Sequence, residues 1–350
     1  MSSGTSITVS VIIPMRNEEK YIARCLRSVL DNDFPREQLE ILVADGRSTD
    51  RSREIVENFA KRHSRIYLID NPKQIVPSGL NLAIRQARGK FIIRMDAHSE
   101  YPPDYISACV RELLTGNADV VGGALITRPG ADTLTARAIA LLSQHPFGIG
   151  NSGFRLGWKD RYVDTVPFGA FRRQIFDRVG LFREELVRHQ DFEMNARIRQ
   201  AQGRIFLSQN IFLTYYNLPT LQTLLRRTFL DGMWVARAWI CYPVTFCLRH
   251  CAPLALLCAL LLPLAIAVFA PGMALLSAAV LAMYLAIALA SSAQLARKHG
   301  KWFLPILPLM FLSFHFVYGV GIVAGLLSPI RRAPQEEAYV AEPASMLEAS

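Results

Sequence analysis

The stretch FIIRMDAHSEYPPDYI, residues 91 to 106, runs from apolar residues into Arg94, Asp96 and His98. A carboxylate and an imidazole two residues apart can hold a divalent cation. Hard cations take carboxylate oxygen, and Mn2+ accepts imidazole more readily than Mg2+ does. The competing interpretation is a polar turn that follows a buried strand. Two further apolar runs end in the same manner. TVSVIIP leads to Pro14, Arg16, Asn17 and Glu18, and LEILVADG ends at Asp45. The chain has no GxGxxG after its first strand and no GxxxxGK[ST] loop. A phosphate bound among these residues therefore needs counter-charge from elsewhere, and a cation on Asp96 and His98 supplies it.

These tips must be brought together by the elements that carry them. β-branched runs predict strands at residues 8–14, 39–46, 65–70, 90–96 and 118–124. Helical patterns fill the gaps. One runs over 17–30 and opens on Glu18 and Glu19; one follows Asp50, with Ser48 or Thr49 as cap; others cover 78–87 and 102–114, the last with Pro103 in its first turn. Strand and helix thus alternate, which predicts an α/β, doubly wound, mostly parallel sheet that binds ligands at the carboxyl ends of its strands.

Composition divides the chain. Of 350 residues, 51% are hydrophobic and 19% charged, and from Ala252 to Ala296 there is no Asp, Glu, Lys or Arg. A globular domain is expected over 1–217, amphipathic interfacial helices over 218–250, about three transmembrane segments over 251–330, and a disordered tail over 331–350. The first two apolar segments form a hairpin at Pro271 and Gly272. Arg297, Lys298 and Lys301 then place the following loop in the cytoplasm. The third, which holds His315 as a packing histidine, either spans or re-enters, because Pro305, Pro308 and Gly319, Gly321 and Gly325 interrupt it and Arg331 and Arg332 follow it. The net charge of +10 fits an anionic lipid surface, and no nucleic-acid motif accompanies it. None of the six cysteines forms a CxxC pair, and inert buried thiols are expected. No secretory signal is read at the N-terminus, so the globular domain is expected on the cytoplasmic face of a multi-pass inner-membrane protein.

Five motifs occur in order: VSVIIPMRNEE, VADGRSTD, RMDAHSEYPPDYI, VPFGAFRRQIFDRVGLF and RHQDFEMNARIRQAQGRIF. Together they resemble inverting family-2 glycosyltransferases of the GT-A fold over residues 8 to 215. The DAH motif, the YPP after it and the C-terminal apolar segments look most like membrane-associated exopolysaccharide glycosyltransferases of the succinoglycan type. The resemblance implies that Pro14, Arg16, Asn17, Glu18, Asp45, Arg94 and Asp96 bind a nucleotide-sugar, with Asp45 on the uracil. It implies Mn2+ or Mg2+ on Asp96 and His98, an acceptor side shaped by Phe168, Gly169, Ala170 and Arg172, and Asp191 as catalytic base. The implied donor is a UDP-sugar, glucose first, and the implied acceptor a polyprenyl-diphosphate-linked saccharide, with membrane lipids and other polysaccharide-assembly proteins as partners.

Two departures from the family pattern stand out. His98 replaces the last aspartate of DxD, and Gln190 precedes Asp191 where glutamate is common. On local sequence alone, Asp45 could cap a helix. Asp191 and Glu193 could lie on a solvated face paired with Arg188, Arg197 and Arg199, and Arg226 and Arg227 could snorkel. A processive β-glycan synthase would carry QxxRW, whereas here Gln222 and Arg226 are one residue too far apart. A polyprenyl-phosphate sugar synthase and a nucleotide-sugar-binding scaffold are the remaining alternatives.

Overall fold

The computed structural model describes residues 6–328, apart from 117 and 158. They form two compact units. The first holds residues 6–126 and Gly153–Tyr215; the second holds Thr127–Ser152 and residues 216–328. The segment Thr127–Ser152, which composition leaves inside 1–217, thus belongs to the second unit. The tail 331–350, with Arg331 and Arg332, lies outside the described residues.

The first unit is built on eight strands: β1 Val9–Met15, β2 Leu39–Asp45, β3 Ile66–Asp70, β4 Phe91–Arg94, β5 Val120–Arg128, β6 Arg161–Tyr162, β7 Ala170–Arg172 and β8 Ile205–Tyr216. Their order is β3-β2-β1-β4-β7-β5-β8-β6. β1 pairs in parallel with β2 and β4, and β2 with β3. β7 is antiparallel to both β4 and β5, so β5 runs in the direction of β4; β6 and β8 are antiparallel to each other, so one of them joins that direction and six of the eight strands point one way. β1 and β2 are buried at every residue because both faces are covered. On β1, Val9, Val11 and Ile13 join the core of one face, with Leu26 and Tyr105; Ile12 joins that of the other, with Leu42, Leu80 and Ile198.

The covering helices are α1 Ile22–Leu30, α2 Ser52–Arg62, α3 Val76–Gln86 and α4 Tyr105–Thr115. Two starts differ from expectation. α1 opens at Ile22, not Asn17, because Asn17 takes a left-handed φ of 56° and the Glu18 carbonyl closes the first turn by accepting from Tyr21 and Ile22. α4 begins at Tyr105, after both prolines. Sequence periodicity also passes over β6, β7 and β8; the first two, of two and three residues, carry no readable alternation.

In the second unit lie α5 Leu134–Leu142 and α6 Pro146–Ile149, while α7 Gln174–Val179 and α8 Gln190–Gln200 return to the first. The second unit continues with α9 Leu221–Cys241, α10 Ala252–Ile266, α11 Met273–His299 and α12 Leu307–Leu327. Thr220 caps α9 through a reciprocal box with Thr223. Three segments, Leu248–Ile266, Met273–His299 and Leu307–Leu327, are long and apolar enough to cross a membrane. α12 is one continuous helix, so its glycines do not break it. Gly321 and Gly325 seat α9 instead, and Gly319 faces α10: a β-carbon at Gly321 would strike the Phe229 carbonyl, one at Gly325 the Met233 carbonyl, and one at Gly319 the Pro253 carbonyl. His315 is bonded on both ring nitrogens. Its Nε2–H donates to the Gly148 carbonyl at 3.3 Å, so its Nδ1 accepts from the Tyr284 hydroxyl at 2.7 Å, as suits a packing histidine.

Candidate active site

The strand order reverses at β1: chain elements run outward through β2 and β3, and β4 then returns to the other flank. Such a switch point opens a crevice at the carboxyl strand ends. Glu18, after β1, and His98, after β4, meet there with Nδ1 and Oε1 3.2 Å apart. This explains why β4 delivers a carboxylate and an imidazole to its own tip.

The loop after β4 is fixed from below. The Asp96 N–H donates to the Tyr101 hydroxyl at 2.7 Å, and the Cys25 thiol donates to the Asp96 carbonyl at 3.5 Å. Tyr101 packs edge-on against Tyr105 with ring centroids 4.8 Å apart. Burial, then the nearby Asp96 and Glu18 charges, push the Cys25 thiol up, so it stays protonated and inert. Burial does the same to Cys109.

Arg94 is the centre of the arrangement. It is 5% exposed, and its guanidinium bonds Asp191 and lies 3.4 Å from Asp96 Oδ1. β7 supplies its third wall. The Arg94 N–H donates to the Gly169 carbonyl at 3.2 Å, and the Phe168 ring lies 5.4 Å from the guanidinium carbon. Phe168 has a φ of 47°, a left-handed conformation costly for an aromatic residue, and it turns the chain into β7 beside the site. Asp191 arrives from the first turn of α8, whose preceding residue, His189, has a φ of 60°.

Asp191 is not on a solvated face. Shielding raises its carboxyl above the ordinary value, against the attraction of Arg94, and Asp96 repels it further. Its side chain still keeps 29% of its surface open, as befits a pocket wall rather than a core. Glu193, by contrast, is 1% exposed and bonded twice by Arg197, at 2.7 and 2.8 Å.

Asp45, at the end of β2, is fully enclosed. Its Oδ1 accepts from the Ser48 N–H and hydroxyl at 3.1 and 2.6 Å, and its Oδ2 from Arg53 at 3.1 Å. Neither Ser48 nor Thr49 caps α2. Ser48 Oγ also accepts the Asn17 N–H, Asn17 Oδ1 accepts the Thr49 N–H, and Ser52 Oγ accepts the Glu18 N–H. The loops after β1 and β2 are therefore sewn to each other, with Pro14 paired to Ala44 just before them and Arg16 preceding Asn17 in the first loop.

Arg172 does not join them. It ends β7 opposite Phe91, at the other end of β4, and bonds the carbonyls of Leu113, Gly116 and Ala118. Gly169 and Ala170 line the near end. Sequence reasoning missed Tyr101, Ser48 and Arg53. Only Tyr101 left a usable signal, as the aromatic residue between the acidic loop and the two prolines.

Among the described residues, no group of three His, Cys, Asp or Glu is placed to hold a metal. The protein offers Asp96 oxygen and His98 nitrogen, with Glu18 orienting the ring as carboxylates do behind metal-bound histidines. This donor set fits a divalent cation that would take its remaining ligands from outside the protein.

The sequence profile of glycosyl transferase family 2 matches residues 10–180. Succinoglycan biosynthesis protein ExoA of Rhizobium meliloti is 30% identical over 253 residues, which is 72% of this chain and 76% of that protein. A Methanococcus voltae enzyme, dolichyl N-acetyl-alpha-D-glucosaminyl phosphate 3-beta-D-2,3-diacetamido-2,3-dideoxy-beta-D-glucuronosyltransferase, is 27% identical over 64% of this chain and 71% of its own. The mannosyltransferase PcManGT of Pyrobaculum calidifontis, solved with GDP-Man and Mn2+, shares the fold with a TM-score of 0.60 at 20% identity, over 92% of this chain and 88% of that one. Fold and relatives together define a glycosyltransferase with a GT-A-like sheet. The chain belongs to glycosyl transferase family 2.

Proposed function

We propose that this glycosyltransferase moves one sugar, with inversion, from a UDP-sugar to a polyprenyl-diphosphate-linked saccharide at the cytoplasmic face of a membrane. The observation that carries the reading is Arg94, shared between Asp96 at the expected donor side and Asp191 at the expected acceptor side. Asp191 takes the proton of the attacking hydroxyl, which general-base catalysis rewards by about 10²–10⁴-fold. Its raised pKa makes it a stronger base than an ordinary carboxylate, and Arg94 keeps it ionised and aimed. Phe168, Gly169 and Ala170 shape the acceptor side. Asp96 and His98 would hold Mn2+ or Mg2+, which would neutralise the charge on a departing diphosphate. The Asp45 seam fixes the loops that carry Asn17 and Glu18, and contact between Asp45 and uracil requires Arg53 to yield its place.

The acceptor class rests on the relatives and on the second unit. A Campylobacter jejuni relative, 32% identical over 35% of this chain and 40% of its own, is a GalNAc(5)-diNAcBac-PP-undecaprenol beta-1,3-glucosyltransferase. An apolar cavity of about 630 Å³, lined by residues such as Leu225, Leu260, Leu264, Leu281 and Phe316, suits a prenyl chain. α9 runs parallel to α12 along its length, with Leu224 packed among Leu307, Met310 and Phe311 and Met233 against Gly325. Arg226, Arg227, Asp231 and Arg237 lie on α9, and such charges are expensive at the bilayer centre. α9 and α12 thus form an interfacial pair, and α10 and α11 alone cross. A reporter fused after residue 328 is expected on the side of the N-terminal unit; the opposite side means that α12 crosses.

The transfer itself is tested by incubating purified protein with labelled UDP-sugars and a lipid-linked acceptor fraction. Label in the lipid supports the reading, and label released only as free sugar contradicts it.

A further inference from the structure

α9 carries a cation for which the described residues supply no hydrogen-bond acceptor at two of its nitrogens. The Arg237 guanidinium stacks on the Trp234 ring, its carbon 4.9 Å from the ring centroid. Among the described residues, Arg237 Nε and Nη1, both out of contact with solvent, have no hydrogen-bond acceptor, and the same holds for Trp234 Nε1. Trp234 is 2% exposed, whereas Arg237 keeps part of its surface open. Three N–H-bearing nitrogens from residues one helical turn apart therefore lack an acceptor in a place that one side chain still connects to the outside. Water can satisfy an indole N–H, but it cannot neutralise a guanidinium. An enclosed charge left unpaired is costly, and a planar guanidinium matches the oxygens of a phosphate.

We propose that Trp234 and Arg237 bind the phosphate of a lipid. The inference rests on the interfacial placement of α9 given above, which sets these donors at headgroup depth. Within the second unit the neighbouring elements support the same level. Cys241 ends α9, two short 3-10 turns follow at Pro243–Thr245 and Leu248–His250, and the first crossing helix starts at Ala252. The other arginines nearby are engaged: Arg227 approaches Asp231 at 3.8 Å, and Arg249 meets His250 and Asn151 at 3.4 Å. A phosphate monoanion or diester accepts from the N–H edge of the Arg237 guanidinium, in its plane, and from the indole N–H at the same time. A bulk anionic phospholipid and the diphosphate of a lipid-linked acceptor share this chemistry.

The test uses the full chain in nanodiscs of phosphatidylcholine with and without phosphatidylglycerol, and in a second arm with undecaprenyl diphosphate added. Bound lipid is counted by native mass spectrometry for wild type, Arg237→Gln, Arg237→Lys and Trp234→Phe. UDP binding checks that each variant is folded. Arg237→Gln is expected to lower retained lipid about tenfold. Trp234→Phe, which keeps the ring and loses the N–H, should lower it by a smaller factor, and Arg237→Lys should restore part of it. Loss confined to phosphatidylglycerol assigns the site to bulk lipid. Loss confined to undecaprenyl diphosphate, with a raised acceptor KM, assigns it to the acceptor. Equal lipid retention in all folded variants overturns the proposal. That result leaves the transferase reading standing if wild type transfers sugar, and a wild type that retains lipid without transferring sugar removes the transferase reading alone.

Discussion

Two carboxylate corners of the same sheet handle charge in opposite ways. At the tip of β2, Asp45 is fully buried, and Ser48 and Arg53 together bond both its oxygens. At the tip of β4, one guanidinium serves two carboxylates, Asp96 and Asp191, and a third, Glu18, leans on His98. The first corner is complete without a ligand. The second has one guanidinium for its carboxylates; burial raises the Asp191 pKa, Arg94 opposes the rise, and the Asp96 charge adds to it. A divalent cation, as proposed, would add positive charge at the second corner, beside Asp96 and His98.

Removing the base tests the contrast most severely. Asp191→Asn should cut kcat by about 10²–10⁴-fold while UDP still binds. A loss of less than tenfold would take the proton-acceptor role away from Asp191. Glu18→Gln should weaken the apparent affinity for the divalent metal by about 10–100-fold, as expected for a group that orients a metal-binding histidine. Metal titrations of activity read this directly, and an unchanged midpoint would return Glu18 to a purely nucleotide-binding role.

Arg94 gives a signed prediction in pH. Because shielding raises the Asp191 pKa and Arg94 opposes the rise, the acid limb of kcat/KM should lie above the ordinary carboxylate range. Activity should fall as pH drops through that limb. Arg94→Met removes the opposing attraction, so the limb should move further up. A limb that stays still or moves down would mean that another group sets it.

The smallest effect on catalysis is expected at the far end of β4. Arg172→Ala orphans the Leu113, Gly116 and Ala118 carbonyls, which should cost about 1–3 kcal/mol of stability and leave the acceptor KM unchanged. Thermal melts and KM measured side by side separate the two, and a raised KM in a fully stable variant would bring Arg172 back to the acceptor side.

Five of the eight strands were legible as β-branched runs, those of β1, β2 and β4 leading into polar tips, whereas β6, β7 and β8 were not read. β7 was hidden by its three-residue length, yet it carries Phe168 and Gly169 to Arg94. The start of α1 was misplaced because acidic residues at a helix entrance look alike whether they lie in the first turn or, as with Glu18 and Glu19, in a loop bonded to Ser52 and Asp50. Arg172 was assigned with its neighbours in sequence. An antiparallel strand puts residues three apart at opposite ends of its short partner, which only the register reveals. The separation of Thr127–Ser152 from the first unit was equally unreadable, since LTARAIALL packs as well in a soluble core as beside membrane helices.

The most direct measurement is a transfer assay on purified protein in nanodiscs, with a lipid-linked acceptor fraction, a panel of radiolabelled UDP-sugars, and Mn2+, Mg2+ or chelator. The account predicts label in the lipid fraction with one donor, with the new linkage inverted, and only when a divalent metal is present. Transfer that persists in chelator would contradict the role given to Asp96 and His98, and the absence of transfer from any UDP-sugar, despite UDP binding, would contradict the transferase reading built on the Arg94 corner.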